Sequence, residues 1–224
     1  MSKTQRLAAA GALVVLVVLS QTACGGKEKN ANAGQVGIKT VTTTAIETEW
    51  VPPPSAAGDG ATTISDVFGP VCRQFPQDPQ DKGSLQSMAA ESLGTAIGNN
   101  PLLTTLAGQA GKAGLAGVLN AVPEMTIFAP ADPAFAGLGA RAAEMAADPE
   151  LLRRVISYHM VPKRYDREGL IKAKEVQTIE GGTIKINSRG DNLMANDAPI
   201  LCGNIPTKNA TVFVIGEVLQ PPTG

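Results

Sequence analysis

The apolar positions of this 224-residue chain change their period along its length. In "ADPELLRRVISYH", apolar side chains stand at Leu151, Leu152, Val155 and Ile156, the spacing of one buried stripe on a helix. Ser84 opens another helical pattern that carries Leu85, Met88, Leu93 and Ile97. A repeated device marks helix starts, a capping residue followed by proline, at Asn100-Pro101, Asp132-Pro133 and Asp148-Pro149. Beyond residue 175 the pattern shortens. "EVQTIEGGTIKINSRGDNLMANDAPILC" alternates β-prone runs with Gly-Gly, Gly-Asp and Asn-Asp turns. "TIFA" is a short apolar run after Pro123, and "ATVFVIGEVL" is apolar on both faces, as a central strand would be. Helices first and hairpins later predict an α+β fold. The globular composition covers residues 62–224, and roughly 160 residues suffice for a single core.

The N-terminal pattern is of another kind. Lys3 and Arg6 precede a thirteen-residue apolar run, Leu7 to Leu19, too short for an easy membrane span and fitting the core of a secretory signal. It ends at "SQTACGG", where Thr22 and Ala23 precede Cys24. This resembles a bacterial lipobox, with Gln21 where leucine is preferred. The expectation is a signal peptide over residues 1–23 and a lipid on Cys24. More than one acyl chain would hold the protein stably in the membrane. Residues 24–61 then read as a flexible tether. "GGKEKNANAGQ" and "VPPPSAAGDGA" cannot bury enough apolar surface to order themselves. Between them "VGIKTVTTTAIETEW" has strand-like composition, with its pairing left open.

Charge and cysteine count narrow the function classes. Removing Lys3 and Arg6 leaves 17 basic against 20 acidic residues, and no basic stripe is interleaved with aromatics, so nucleic acid is not an expected partner. Assigning Cys24 to lipid leaves Cys72 and Cys202. In an exported chain such a pair is a natural disulfide, the alternative being two buried thiols. A bridge of about 130 residues would contribute at most roughly 5 kcal/mol by loop entropy.

His159, the chain's one histidine, decides whether chemistry is in play. It follows Val155 by four residues and Ile156 by three, which places it on the buried stripe near the helix C-terminus. A catalytic histidine needs a nucleophile or an orienting carboxylate. No G-x-S-x-G elbow is present, and neither remaining cysteine sits in a nucleophile motif. With one histidine and no C-x-x-C, a metal site would be made mostly of carboxylates. The expectation is a structural histidine, no enzyme, no metal and no cofactor.

Other motifs carry less. Arg189, Gly190 and Asp191 form an integrin-type tripeptide at an expected hairpin tip, where glycine and aspartate are equally explained by the turn itself. "GQAGKAGLAG" is neither collagen-like in length nor a phosphate loop, since Leu106 and Ala113 occupy the diagnostic positions. Asn209-Ala210-Thr211 matches a glycosylation sequon.

Three segments in order, "TIFAPADPAFAGL", "ISYHMVP" and "ATVFVIGEVLQPP", resemble the first box, the Tyr-His motif and the second box of the fasciclin-like domain. Within that family the chain is similar to the secreted and lipid-anchored fasciclin-like antigens of mycobacteria. The second box often carries an acidic residue where this chain has Gly216, followed by Glu217. The resemblance implies a wedge-shaped β-sheet core flanked by helices and supports pairing Cys72 with Cys202. It also implies a non-enzymatic role in adhesion, or in binding a surface or matrix protein or glycan, on the extracellular face of the membrane with part released. By the same resemblance Tyr158 and His159 become candidates for an adhesion surface. The alternative is an envelope lipoprotein holding a small lipid or glycan in a cleft.

Overall fold

The computed structural model describes residues 60–189 and 192–222. The expected signal, Cys24, the tether up to residue 59 and the Gly190-Asp191 dipeptide lie outside the described residues. Two 3-10 turns, Ile64–Asp66 and Pro70–Gln74, lead into four short helices. These are α1 (Leu85–Ala89), α2 (Leu93–Asn99), α3 (Thr104–Lys112) and α4 (Ala116–Ala121). Strand β1 (Met125–Pro130) is followed by α5 (Asp132–Ala136), α6 (Ala140–Ala147) and α7 (Pro149–Tyr158). Strand β2 (Met160–Val161) and α8 (Arg167–Ala173) precede the hairpins β3 (Glu175–Gln177), β4 (Thr183–Arg189), β5 (Asn192–Ala195), β6 (Ala198–Pro206) and β7 (Ala210–Ile215). Helices before hairpins is the expected α+β order.

Among the described residues the strands make one sheet in the order β2-β1-β7-β6-β5-β4-β3. Only β1 and β7 run parallel, Met125 opposite Ala210 through Pro130 opposite Ile215. The sheet curls until its ends meet: Ile179 N–H, two residues past β3, donates to the Met160 carbonyl in β2 at 2.7 Å. The β1/β7 pair divides two apolar clusters. Met125, Ile127, Val212 and Val214 face the helices, while Phe128, Phe213 and Ile215 face the curled interior. Both faces are therefore dry, which is why "TVFVI" reads as a continuous apolar run. Gly203 of β6 belongs to this closure, because a Cβ there would sit 2.6 Å from the Phe68 ring and 2.8 Å from Phe213.

One expected helix start and one expected cap need correction. Asn100 ends α2 instead of opening a helix. Its side chain is buried, accepting from Leu102 N–H at 2.9 Å and donating to the Gly83 carbonyl at 2.8 Å, so Pro101 sits in a turn and α3 begins at Thr104. Asp132 lies in the first turn of α5, behind Ala131, and its carboxylate caps α3 instead. It accepts from Thr105 N–H at 2.8 Å and from Thr104 Oγ1 at 2.6 Å. Ser84 and Asp148 cap their helices as the pattern predicts. The helix from Ser84 breaks after Ala89, and Leu93 and Ile97 belong to α2.

Candidate interaction face

The Tyr-His pair ends α7, whose stripe of Leu152, Val155 and Ile156 packs against the helix-side cluster. His159 is the C-cap and is fully buried. Its Nε2 lies 3.0 Å from the Leu219 amide, which only donates, so Nε2 is the acceptor. The proton therefore sits on Nδ1, which donates to the Val155 carbonyl at 2.8 Å. Burial lowers the pKa from 6.5 to about 4, with the Val155 hydrogen bond opposing that shift. The ring is neutral at physiological pH, with both nitrogens committed to backbone. It spans three pieces of chain, because the His159 carbonyl also accepts from Phe128 N–H at 3.0 Å.

Tyr158 turns the other way, into the cluster beneath the curled sheet. Its hydroxyl donates to the Thr183 carbonyl at the start of β4 (2.8 Å) and accepts from Asn196 Nδ2 in the β5–β6 turn (3.2 Å). Asn196 Oδ1 in turn accepts from Lys185 N–H at 2.8 Å. Tyr158 is 2% exposed and His159 0%. As an adhesion surface the two residues are corrected, because a partner cannot reach side chains sealed under a helix and a sheet. Tyr158 fixes instead the base of a hairpin, while His159 ties the end of α7 to β1 and to the segment after β7.

That hairpin is β4–β5, and its far end is exposed at Asn187, Ser188, Arg189 and Asn192. Arg189 and Asn192 are cross-strand partners, so the tripeptide begins at the last paired residue of β4. Beside the hairpin lies a groove of about 420 Å³, lined by Ile171, Lys174, Glu175 and Lys185 along with Ile186 and Leu193. Ile171 is 45% exposed there. The hairpin thus joins a rigid base to a polar tip and an amphipathic flank.

A disulfide joins Cys72 to Cys202, with Cα atoms 5.1 Å apart, and ties the second 3-10 turn to β6. Among the described residues no group of three or more His, Cys, Asp or Glu side chains has the geometry to hold a metal ion. The sequon is absorbed by the fold: Asn209 donates to the Leu119 and Val122 carbonyls and accepts from Leu93 N–H. A second depression, of about 400 Å³, brings Ala61, Glu124, Arg164 and Lys208 together. The sequence signal for it lies in "PKRYDR", whose Arg164 meets Lys208 only through the fold.

The fasciclin domain profile matches residues 101–221. Immunogenic protein MPB70 of Mycobacterium bovis is 33% identical over 183 residues, covering 77% of this chain and 88% of the relative. Cell surface glycolipoprotein MPB83 of the same species is 35% identical over 174 residues, covering 72% and 76%. A solved FAS1 domain pair from the insect cell adhesion molecule fasciclin I has a TM-score of 0.50 at 12% identity. The alignment takes in 58% of this chain and 51% of that one, and the likeness is one of fold.

Proposed function

This chain belongs to the fasciclin domain family, and on that premise we propose that it is a lipid-tethered surface protein presenting one fasciclin domain for non-enzymatic adhesion. In this reading residues 1–23 are the signal peptide and Cys24 carries the lipid. Residues 24–61 are the tether, and residues 62–224 are the interacting domain. A flexible segment of about 36 residues has a mean span of roughly 30–36 Å, enough to lift the domain off the bilayer. The partner is a cell-surface or matrix protein or glycan, met by the tip and flank of the β4–β5 hairpin, Arg189, Gly190 and Asp191 included. A fraction of the molecules is released from the cell.

The observation that carries this reading is the division of labour around α7. The one histidine is sealed and neutral with both nitrogens bonded to backbone, while the hairpin that its neighbour Tyr158 braces is exposed at its far end. The name of the MPB83 relative, a cell surface glycolipoprotein, supports the location. The anchor is tested by mass spectrometry of the mature N-terminus. The expected species starts at Cys24 and carries acyl chains, and the Cys24→Ala chain leaves the membrane fraction. A mature N-terminus elsewhere, without acyl mass, contradicts the anchor.

A small lipid or glycan held in a cleft is the second reading, favoured by one observation. The groove of about 420 Å³ between α8 and β4–β5 brings the apolar Ile171, Ile186 and Leu193 together with Lys174, Glu175 and Lys185. Its size falls within the range of ligand pockets. Extraction of the purified native protein decides it, since a stoichiometric lipid or glycan would favour the cleft and a clean extract the adhesive face.

A further inference from the structure

The first described residue, Gly60, is built into one end of the sheet. Its carbonyl accepts from the buried Thr211 Oγ1 of β7 at 2.9 Å, and its Cα packs on the Arg164 carbonyl so closely that a Cβ would overlap it. Its φ of +78° is a conformation for glycine. The chain from the N-terminus therefore joins the domain at a fixed place, beside the segment that links β2 to α8.

That place is basic. Arg164 Nη2 donates to the Lys208 carbonyl at 3.2 Å, which draws together segments 44 residues apart. Arg164 and Lys208 line the depression with Ala61, and Glu124 is the acidic residue in that lining. Lys163, adjacent in the chain, is exposed, its carbonyl pinned by Thr126 Oγ1 at 2.7 Å and its ammonium 4.9 Å from the centre of the Tyr165 ring. Arg167 opens α8 three residues after Arg164, but its guanidinium lies over the Phe68 ring, 5.0 Å from the centroid, and does not join them. The domain as a whole does not explain this local excess, because residues 60–224 hold 14 basic against 16 acidic side chains.

We propose that this basic end, where the tether joins, is a contact surface for the anionic phospholipid bilayer that carries the anchor. The proposal takes its setting from the lipid-tethered reading above. The tether places this end, by its connectivity, nearest to the chain segment that leads back to Cys24. Charge complementarity then favours headgroups: each Lys or Arg close to an anionic leaflet contributes about a fivefold preference, and Lys163, Arg164 and Lys208, less the opposing Glu124, together about 25-fold. Such a contact is weak for a free domain. Tethering supplies an effective concentration in the millimolar range, at which a weak contact is well occupied. The domain would then lie with this end toward the bilayer, and added salt would lift it.

The test uses the full mature chain with Cys24→Ala, so that no lipid contributes. Its partition is measured onto phosphatidylcholine vesicles and onto vesicles with added phosphatidylglycerol, at low and high salt. The expected result is at least about tenfold stronger partition onto the anionic vesicles at low salt, lost when Lys163→Glu and Lys208→Glu are combined. Lys172→Glu with Lys185→Glu makes the same charge change elsewhere and is expected to retain most of the binding. Unfolding midpoints confirm that both double variants fold. Equal loss in the two variants, no preference for anionic lipid, or binding to a soluble acidic polysaccharide that the vesicles fail to match would each overturn the proposal. An unacylated Cys24 in the native protein would sink the anchor while leaving the vesicle result standing, so the two failures are distinguishable.

Discussion

His159 shows how one side chain can look catalytic in a sequence and be structural in the fold. Its pKa falls from 6.5 to about 4 because burial penalises the charged ring more than the Val155 carbonyl supports it. Above pH 6.5 folded and unfolded chains both hold the ring neutral, and its contribution to stability is complete. As the pH drops below 6.5 the unfolded chain takes up a proton that the folded core refuses, so stability falls until about pH 4. The linkage amounts to roughly 3 kcal/mol over that window. Urea unfolding at pH 7 and pH 5 checks this. The native chain should lose stability between the two, and His159→Phe should be weaker at pH 7 but show a flatter pH dependence. An unchanged slope in the variant would assign the pH sensitivity elsewhere. The buried stripe was legible from the spacing of Val155 and Ile156. The acceptor bond to Leu219, sixty residues away, was not, since no local pattern encodes it.

At the scale of elements, what the sequence hid was contact between segments far apart in the chain. Asp148-Pro149 behaves as a local cap because donor and acceptor are two and three residues apart. Asp132-Pro133 carries the same sequence signature, yet its carboxylate serves α3, 27 residues upstream. Asp132→Ala should therefore destabilise the domain by about 1–2 kcal/mol, the range of a lost helix cap. Hydrogen exchange would locate the loss at the first turn of α3 as well as at α5. Protection lost only in α5 would contradict the cross-helix cap. The hairpins were more legible: β4, β5 and β6 match the alternating runs on either side of the Gly-Asp and Asn-Asp dipeptides. Their bracing by Tyr158 was not, because the hydroxyl meets a backbone carbonyl that no side-chain pattern predicts. The disulfide works at this scale too. It closes a separation of 130 residues, so Cys72→Ser with Cys202→Ser should cost up to about 5 kcal/mol in unfolding.

For the whole molecule, the sequence and the structure divide the account between them. The three fasciclin segments carry the family, and the lipobox-like Cys24 carries the proposed location. The basic end that receives the tether and the rigid base of the β4–β5 hairpin emerge only when the chain is folded. On the proposed reading they make a domain with one end toward its own membrane and a polar hairpin for a partner outside. The most direct test is binding of the mature, oxidised Cys24→Ala chain, fluorescently labelled, to intact host cells and to sister bacterial cells. The account predicts saturable binding to one of these surfaces, weakened by Arg189→Ala and Asp191→Ala and retained in Lys172→Glu. Absence of saturable binding to either surface, by a chain shown to be folded, would contradict it.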